Sequence, residues 1–131
     1  MDVNYLAVIA CAVSAFVLGG IWYSPAVFGK IWQEEIGVSD EALASGNKTV
    51  IFGGAFVLAL VAAYIFALFL GPDPGLMVAV GAGFAAGLCW VATSFGINYL
   101  FERKSLSLFA INSGFHTLQF TLYGLILGLW T

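Results

Sequence analysis

The sequence predicts an all-α integral membrane protein: a four-helix transmembrane bundle with a short amphipathic interfacial helix in its first cytoplasmic loop. Three observations carry that expectation: the apolar composition, four apolar runs separated by turn chemistry, and a one-sided distribution of basic residues. A soluble domain is about 45–50% apolar and about 25% charged, whereas this chain is 62% apolar and 8% charged, with a mean hydropathy of +1.02. Such a chain has too few polar side chains to solvate a surface in water, so its partner is the lipid bilayer. With 131 residues there is room for several spans and no separate soluble module, so one transmembrane domain is expected over 1–131. The net charge of −3 argues against nucleic-acid binding and against a polybasic lipid anchor.

The first span is expected over residues 4–24, stopped by Pro25, with Tyr5 and the Trp22-Tyr23 pair as interfacial anchors. No cleavable signal is read at the start, because Met-Asp-Val-Asn lacks a basic region and the first run ends in aromatics. The second span, over 50–70, holds thirteen Val, Ile, Leu or Phe residues and no charge. Its insertion is favourable by roughly 4 to 8 kcal/mol. Gly71-Pro72-Asp73-Pro74-Gly75 then makes a tight reversal. The third span, over 76–98, is rich in small residues, and Gly83-x-x-x-Gly87 permits close helix contact. The fourth runs over 106–130. Cys11 and Cys89 lie within apolar runs, where a thiol acts as a small hydrophobe.

Lys30 and Lys48 lie in the first loop and Arg103 and Lys104 in the third, while the ends and the second loop carry no Lys or Arg. The positive-inside rule therefore puts those two loops in the cytoplasm and both termini outside. Within the loop over 25–49, Phe28, Ile31, Trp32 and Ile36 recur at helical spacing opposite Lys30, Gln33 and Glu34, as in an amphipathic helix lying in the interface. Ser39 with Asp40 and Glu41 reads as the cap of another short helix, closed at Ser45-Gly46. This loop either docks a partner or lipid headgroups, or simply plugs the cytoplasmic end of the bundle. Phe16-x-x-Gly19-x-x-Trp22 recurs as Phe84-x-x-Gly87-x-x-Trp90, either as a parallel repeat or by chance in so biased a composition.

Chemistry concentrates on the fourth span. At 100° per residue, Ser105, Asn112, His116, Gln119 and Tyr123 fall within an arc of roughly 60°, one polar row at membrane depth. Ser113, Thr117, Thr121, Gly124 and Gly128 fall roughly opposite and suit a closely approaching helix. Ser14 lies near the depth of His116, and Ser94 and Asn98 near that of Asn112, so a polar cluster of spans one, three and four is allowed. Its residues are Asn112, His116, Gln119, Tyr123, Ser14, Ser94 and Asn98. The cluster is either a binding site or hydrophilic path with His116 as ligand, proton carrier or switch, or interhelical glue.

No Asp, Glu, Lys or Arg lies within a span, which removes the carboxylate that proton-coupled exporters keep at membrane depth. One His, two Cys and two Met make no metal or haem ligand set within a chain, although symmetric subunits could gather His116 about an axis. No cofactor is expected. Nor is an enzyme, since no nucleophile, base and orienter fall at workable spacing.

Two stretches carry a family likeness. Gly19-Gly20-Ile21-Trp22-Tyr23-Ser24-Pro25 with Phe28-Gly29 and Trp32, and Leu100-Phe101-Glu102 through Ile111-Asn112, Gly114, His116, Gly124 and Trp130, resemble small prokaryotic membrane proteins of the domain of unknown function 1761 family. The resemblance implies a four-span protein of a bacterial or archaeal cell membrane and brings no activity, substrate or catalytic residue. The expectation is a non-enzymatic transport or channel-like protein, or alternatively a structural or partner-binding one. The small-residue faces of spans three and four add the expectation of a homo-oligomer with span four near the subunit contact.

Overall fold

The computed structural model describes residues 3–130, all helix and connecting turn, with no strand among them. Met1, Asp2 and Thr131 lie outside the described residues, and with them the first residues on which the expectation about a cleavable signal rests. The helices are α1 (Tyr5–Trp22), α2 (Gly29–Ile36), α3 (Asp40–Ser45), α4 (Lys48–Leu70), α5 (Leu76–Glu102) and α6 (Leu106–Leu129). Each long helix except α5 starts at a polar side chain that accepts a free first-turn amide. Asn4 accepts from Ala7, Asn47 from Val50 and Ser105 from Leu108. α5 begins instead at Gly75, whose φ of +80° ends the reversal.

α1, α4 and α5 are long and apolar enough to cross a membrane. The sequence predicts a fourth, and here the structure differs in degree. At 24 residues α6 is about 36 Å long, enough to span. Its Asn112, His116 and Gln119 dilute its apolar character, so three helices rather than four meet both tests. The lipid-facing character of the rest is plain. Met77, Phe101, Leu100 and Phe69 are each at least 80% exposed, which suits a protein embedded in a membrane and would be costly in water.

α6 is the hub. It packs along α5, lies against α1, and touches α2 and α4, whereas α4 leans chiefly on α1. The most deeply buried side chains, among them Cys11, Ala12, Ala63 and Tyr123, sit where α1, α4 and α6 converge. Cys11 is buried and Cys89 exposed, both as free thiols. In the loop, α2 ends at Gly37 in the left-handed region, and Gln33 ties it to α3 by donating to Val38 O (3.0 Å) and Asp40 Oδ1 (2.8 Å).

One irregularity decides what α5 presents to α6. Gly87–Ala92 is π-helical, which inserts one extra residue into the turn. The carbonyls loosened there are taken up by side chains: Thr93 Oγ1 donates to Cys89 O (2.7 Å) and Trp90 O (3.0 Å), and Ser94 Oγ donates to Trp90 O (2.7 Å). The Trp90 carbonyl thus accepts from both hydroxyls as well as from the Thr93 backbone amide.

Candidate functional site

The polar row of α6 divides into two clusters. Near the Ser105 end, Asn112 stands between two tyrosines. Tyr23 donates to its Oδ1 at 2.6 Å, and its Nδ2 donates to Tyr99 Oη at 2.8 Å. One residue earlier, Trp22 Nε1 donates to Ile111 O at 2.8 Å. The Trp22 ring lies against Gly114, where an added Cβ would stand 3.0 Å from it. Trp22 also packs on Phe28 (4.8 Å between centroids) and Tyr23 on Trp32 (5.4 Å). Gly29 closes the corner, because a side chain there would run into the carbonyls of Tyr23 and Ser24. Parts of the two stretches that carry the family likeness, Trp22 to Trp32 of the first and Ile111 to Gly114 of the second, thus meet in one junction.

The second cluster runs inward. His116 Nδ1 lies 2.6 Å from Gln119 Oε1, Gln119 Nε2 donates to Tyr123 Oη at 2.7 Å, and Tyr123 Oη donates to Ala59 O at 3.3 Å. The chain of bonds has a direction. A backbone carbonyl only accepts, so the hydroxyl of Tyr123 gives its hydrogen to Ala59 and receives one from Gln119. Gln119 then turns its oxygen to the imidazole, which places the ring hydrogen on Nδ1 and leaves Nε2 as a bare acceptor. Nε2 has no hydrogen-bond partner among the described residues. Phe95 stacks on the ring (5.2 Å, 19°) and Phe115 meets it edge-on (4.9 Å). The backbone carbonyl of Tyr123 accepts from Cys11 Sγ at 3.8 Å, tying the cluster to α1.

Of the sequence-predicted residues, Asn112, His116, Gln119 and Tyr123 thus stand in the row, bonded to one another or across to α1, α4 and α5. The other three do not join them. Ser14 Oγ donates to Cys11 O in its own helix (2.7 Å). Ser94 is exposed and tied to Trp90 O, and Asn98 is exposed. For Ser94 and Asn98 the reason is the π-helical turn. Regular spacing from Gly83 and Gly87 brings Ser94 and Asn98 onto the α6 face. One inserted residue rotates everything beyond it by about 100° and delivers Ala92, Phe95, Gly96 and Tyr99 instead. Tyr99, Phe95, Trp22 and Tyr23 are the site residues that sequence reasoning missed. The adjacent hydroxyls Thr93-Ser94 in an apolar run were the available signal.

A hub helix whose polar row is enclosed by apolar helices defines a membrane-embedded helical protein built around buried polar contacts. The chain belongs to the family described as "Protein of unknown function (DUF1761)", which it matches over residues 6–128. No curated protein and no solved structure matches it.

Proposed function

We propose that the chain is a four-span, non-enzymatic protein of a bacterial or archaeal cell membrane, with both termini outside and loop 25–49 in the cytoplasm, whose polar row serves cohesion. One observation carries this reading: Asn112, Gln119 and Tyr123 each direct their side-chain hydrogen bonds to neighbouring helices or to one another. In lipid, where water cannot compete, such contacts select one arrangement of otherwise interchangeable apolar helices. A partner docked on loop 25–49 and a homo-oligomer belong to the same structural class. Gly83 and Gly87 of α5 and Gly124 and Gly128 of α6 pack against the opposite helix within the chain, so they lend the oligomer no support.

A second reading, transport or solute binding, is favoured by the bare Nε2 of His116. A ring nitrogen without a protein partner at membrane depth suits a hydrogen-bonding solute. His116→Phe separates the two, since phenylalanine keeps a ring against Phe95 and removes the bond to Gln119. Cohesion predicts a loss of about 0.6 to 2 kcal/mol in thermal unfolding. Unchanged unfolding together with altered solute flux in proteoliposomes would favour transport. Carbethoxylation by diethyl pyrocarbonate, which attacks an unprotonated imidazole nitrogen, reports whether Nε2 can be reached.

A further inference from the structure

The corner joining α5 to α6 is more rigid and more specific than a three-residue connection requires. Arg103 takes the left-handed conformation (φ +58°) at the end of α5, Arg103 N donates to Leu100 O (3.4 Å), and Lys104 N donates to Tyr99 O (2.9 Å). Ser105 at once caps α6. The backbone that carries two exposed cations is therefore held by hydrogen bonds at the end of two packed helices. Beneath them opens a crevice of about 430 Å³ whose walls are largely apolar, including Gly96, Leu100, Leu106 and Phe109. Leu100 and Leu106 stand about four-fifths exposed at its edges. Gly96 keeps it hollow, since a Cβ there would already press on the Phe109 ring at 3.1 Å. Neither Arg103 nor Lys104 forms an ion pair among the described residues; the neighbouring carboxylate, Glu102, is exposed.

We propose that this crevice binds one anionic phospholipid of the leaflet that the basic loops face. Its phosphate lies against Arg103 and Lys104, and an acyl chain occupies the groove between the ends of α5 and α6. The inference rests on the transmembrane reading above. Charge complementarity selects the occupant: paired cations over an apolar slot suit a headgroup that is anionic and a tail that is not. A soluble anion would leave the slot empty, and a zwitterionic lipid would bring a third cation to the two already there.

The test uses the full-length protein, stripped of loosely held lipid in detergent and incubated with equal amounts of dioleoyl phosphatidylglycerol and dioleoyl phosphatidylcholine. Retained lipid is read by native mass spectrometry. The wild type is expected to keep one phosphatidylglycerol, and Arg103→Gln with Lys104→Gln to lose about tenfold or more of that preference. Gly96→Leu, which fills the slot without touching charge, is expected to lose retention as well. Lys30→Gln with Lys48→Gln, which removes equal charge from the other basic loop, is expected to keep it. Equal loss in both double variants, displacement of the lipid by inorganic phosphate, or equal retention of the two lipids overturns the proposal. Carbonate extraction of the same membranes keeps the two readings apart. A protein that is released fails the transmembrane reading, whereas one that stays and shows no lipid preference fails only the lipid site.

Discussion

The seam between α5 and α6 and the seam between α1 and α4 join helices of similar apolar composition in different ways. Along α5–α6 the backbones nearly touch. A Cβ on Gly87 would lie 2.6 Å from Thr117 Cα, and side chains on Gly83 or Gly124 would run into the backbone of Phe120 or Ala79. Along α1–α4 the separation is set by alanines and aromatic rings, with Tyr5 stacked on Tyr64 at 6.3 Å and Phe16 edge-on to Phe56 at 5.5 Å. Lipid tails are as apolar as leucine, so burial alone favours neither seam. The glycine seam gains from dense dispersion contact at short range and tolerates no added atom. The alanine and aromatic seam is more forgiving, and only the first seam contains the π-helical turn.

The largest expected effect comes from removing that turn. Deleting Leu88, which is about half exposed and no part of the core, restores regular winding and rotates the rest of α5. Tyr99 then leaves Asn112, and Phe95 leaves His116. Thermal unfolding in mild detergent is expected to show a loss of about 2–4 kcal/mol, the sum of one interhelical hydrogen bond, one ring stack and the refitted contact at Gly96. An unfolding midpoint like that of the wild type would mean the irregular turn does not set the register of the two helices.

Next comes a paired substitution that sharpens the contrast between seams. Gly124→Ala forces a methyl group into the Ala79 carbonyl and is expected to cost about 1–3 kcal/mol. Gly54→Ala on α4 meets nothing within 4 Å. It is expected to be neutral or to stabilise by up to about 1 kcal/mol through helix propensity. Equal responses at the two sites would erase the distinction. Within the tight region, Tyr123→Phe removes the hydroxyl that receives from Gln119 and gives to Ala59, for an expected loss of about 1–2 kcal/mol. The same change frees Gln119 to turn its amide. The hydrogen on His116 is then no longer held at Nδ1, which nitrogen NMR of labelled histidine detects as a mixture of ring tautomers.

Much of this architecture was legible in the sequence because lipid imposes strong local rules. The span starts near residues 4 and 106, the reversal over Gly71 to Gly75 and the apolar runs all follow from backbone groups that must be paired within their own segment. The row Asn112, His116, Gln119 and Tyr123 follows from spacing alone. What was not legible depends on one inserted residue. Depth along regularly wound helices grouped Ser94 and Asn98 with Asn112, and the change of winding that turns them away and brings in Phe95 and Tyr99 does not show in depth. The suggested repeat fares similarly. Trp22 turns inward onto Ile111 and Gly114, whereas Trp90 is 71% exposed, so the matching motifs play different parts.

The smallest expected effect tests how strictly polar groups in the tight seam must be paired. Ser113 is 6% exposed on α6, and its Oγ has no hydrogen-bond partner. Thr117 and Thr121, one and two turns on, each donate to the carbonyl four residues back, at 2.8 and 2.7 Å. A buried hydroxyl without a partner carries a desolvation cost and returns nothing for it. Ser113→Ala keeps the Cβ that the seam is built around and deletes only the hydroxyl. Unfolding is therefore expected to be unchanged or to shift upward by up to about 1 kcal/mol. A loss of more than that would show that Ser113 shares the habit of Thr117 and returns its proton to the helix backbone. The seam would then hold no unpaired donor and would be as fully satisfied as the Asn112 junction beside it.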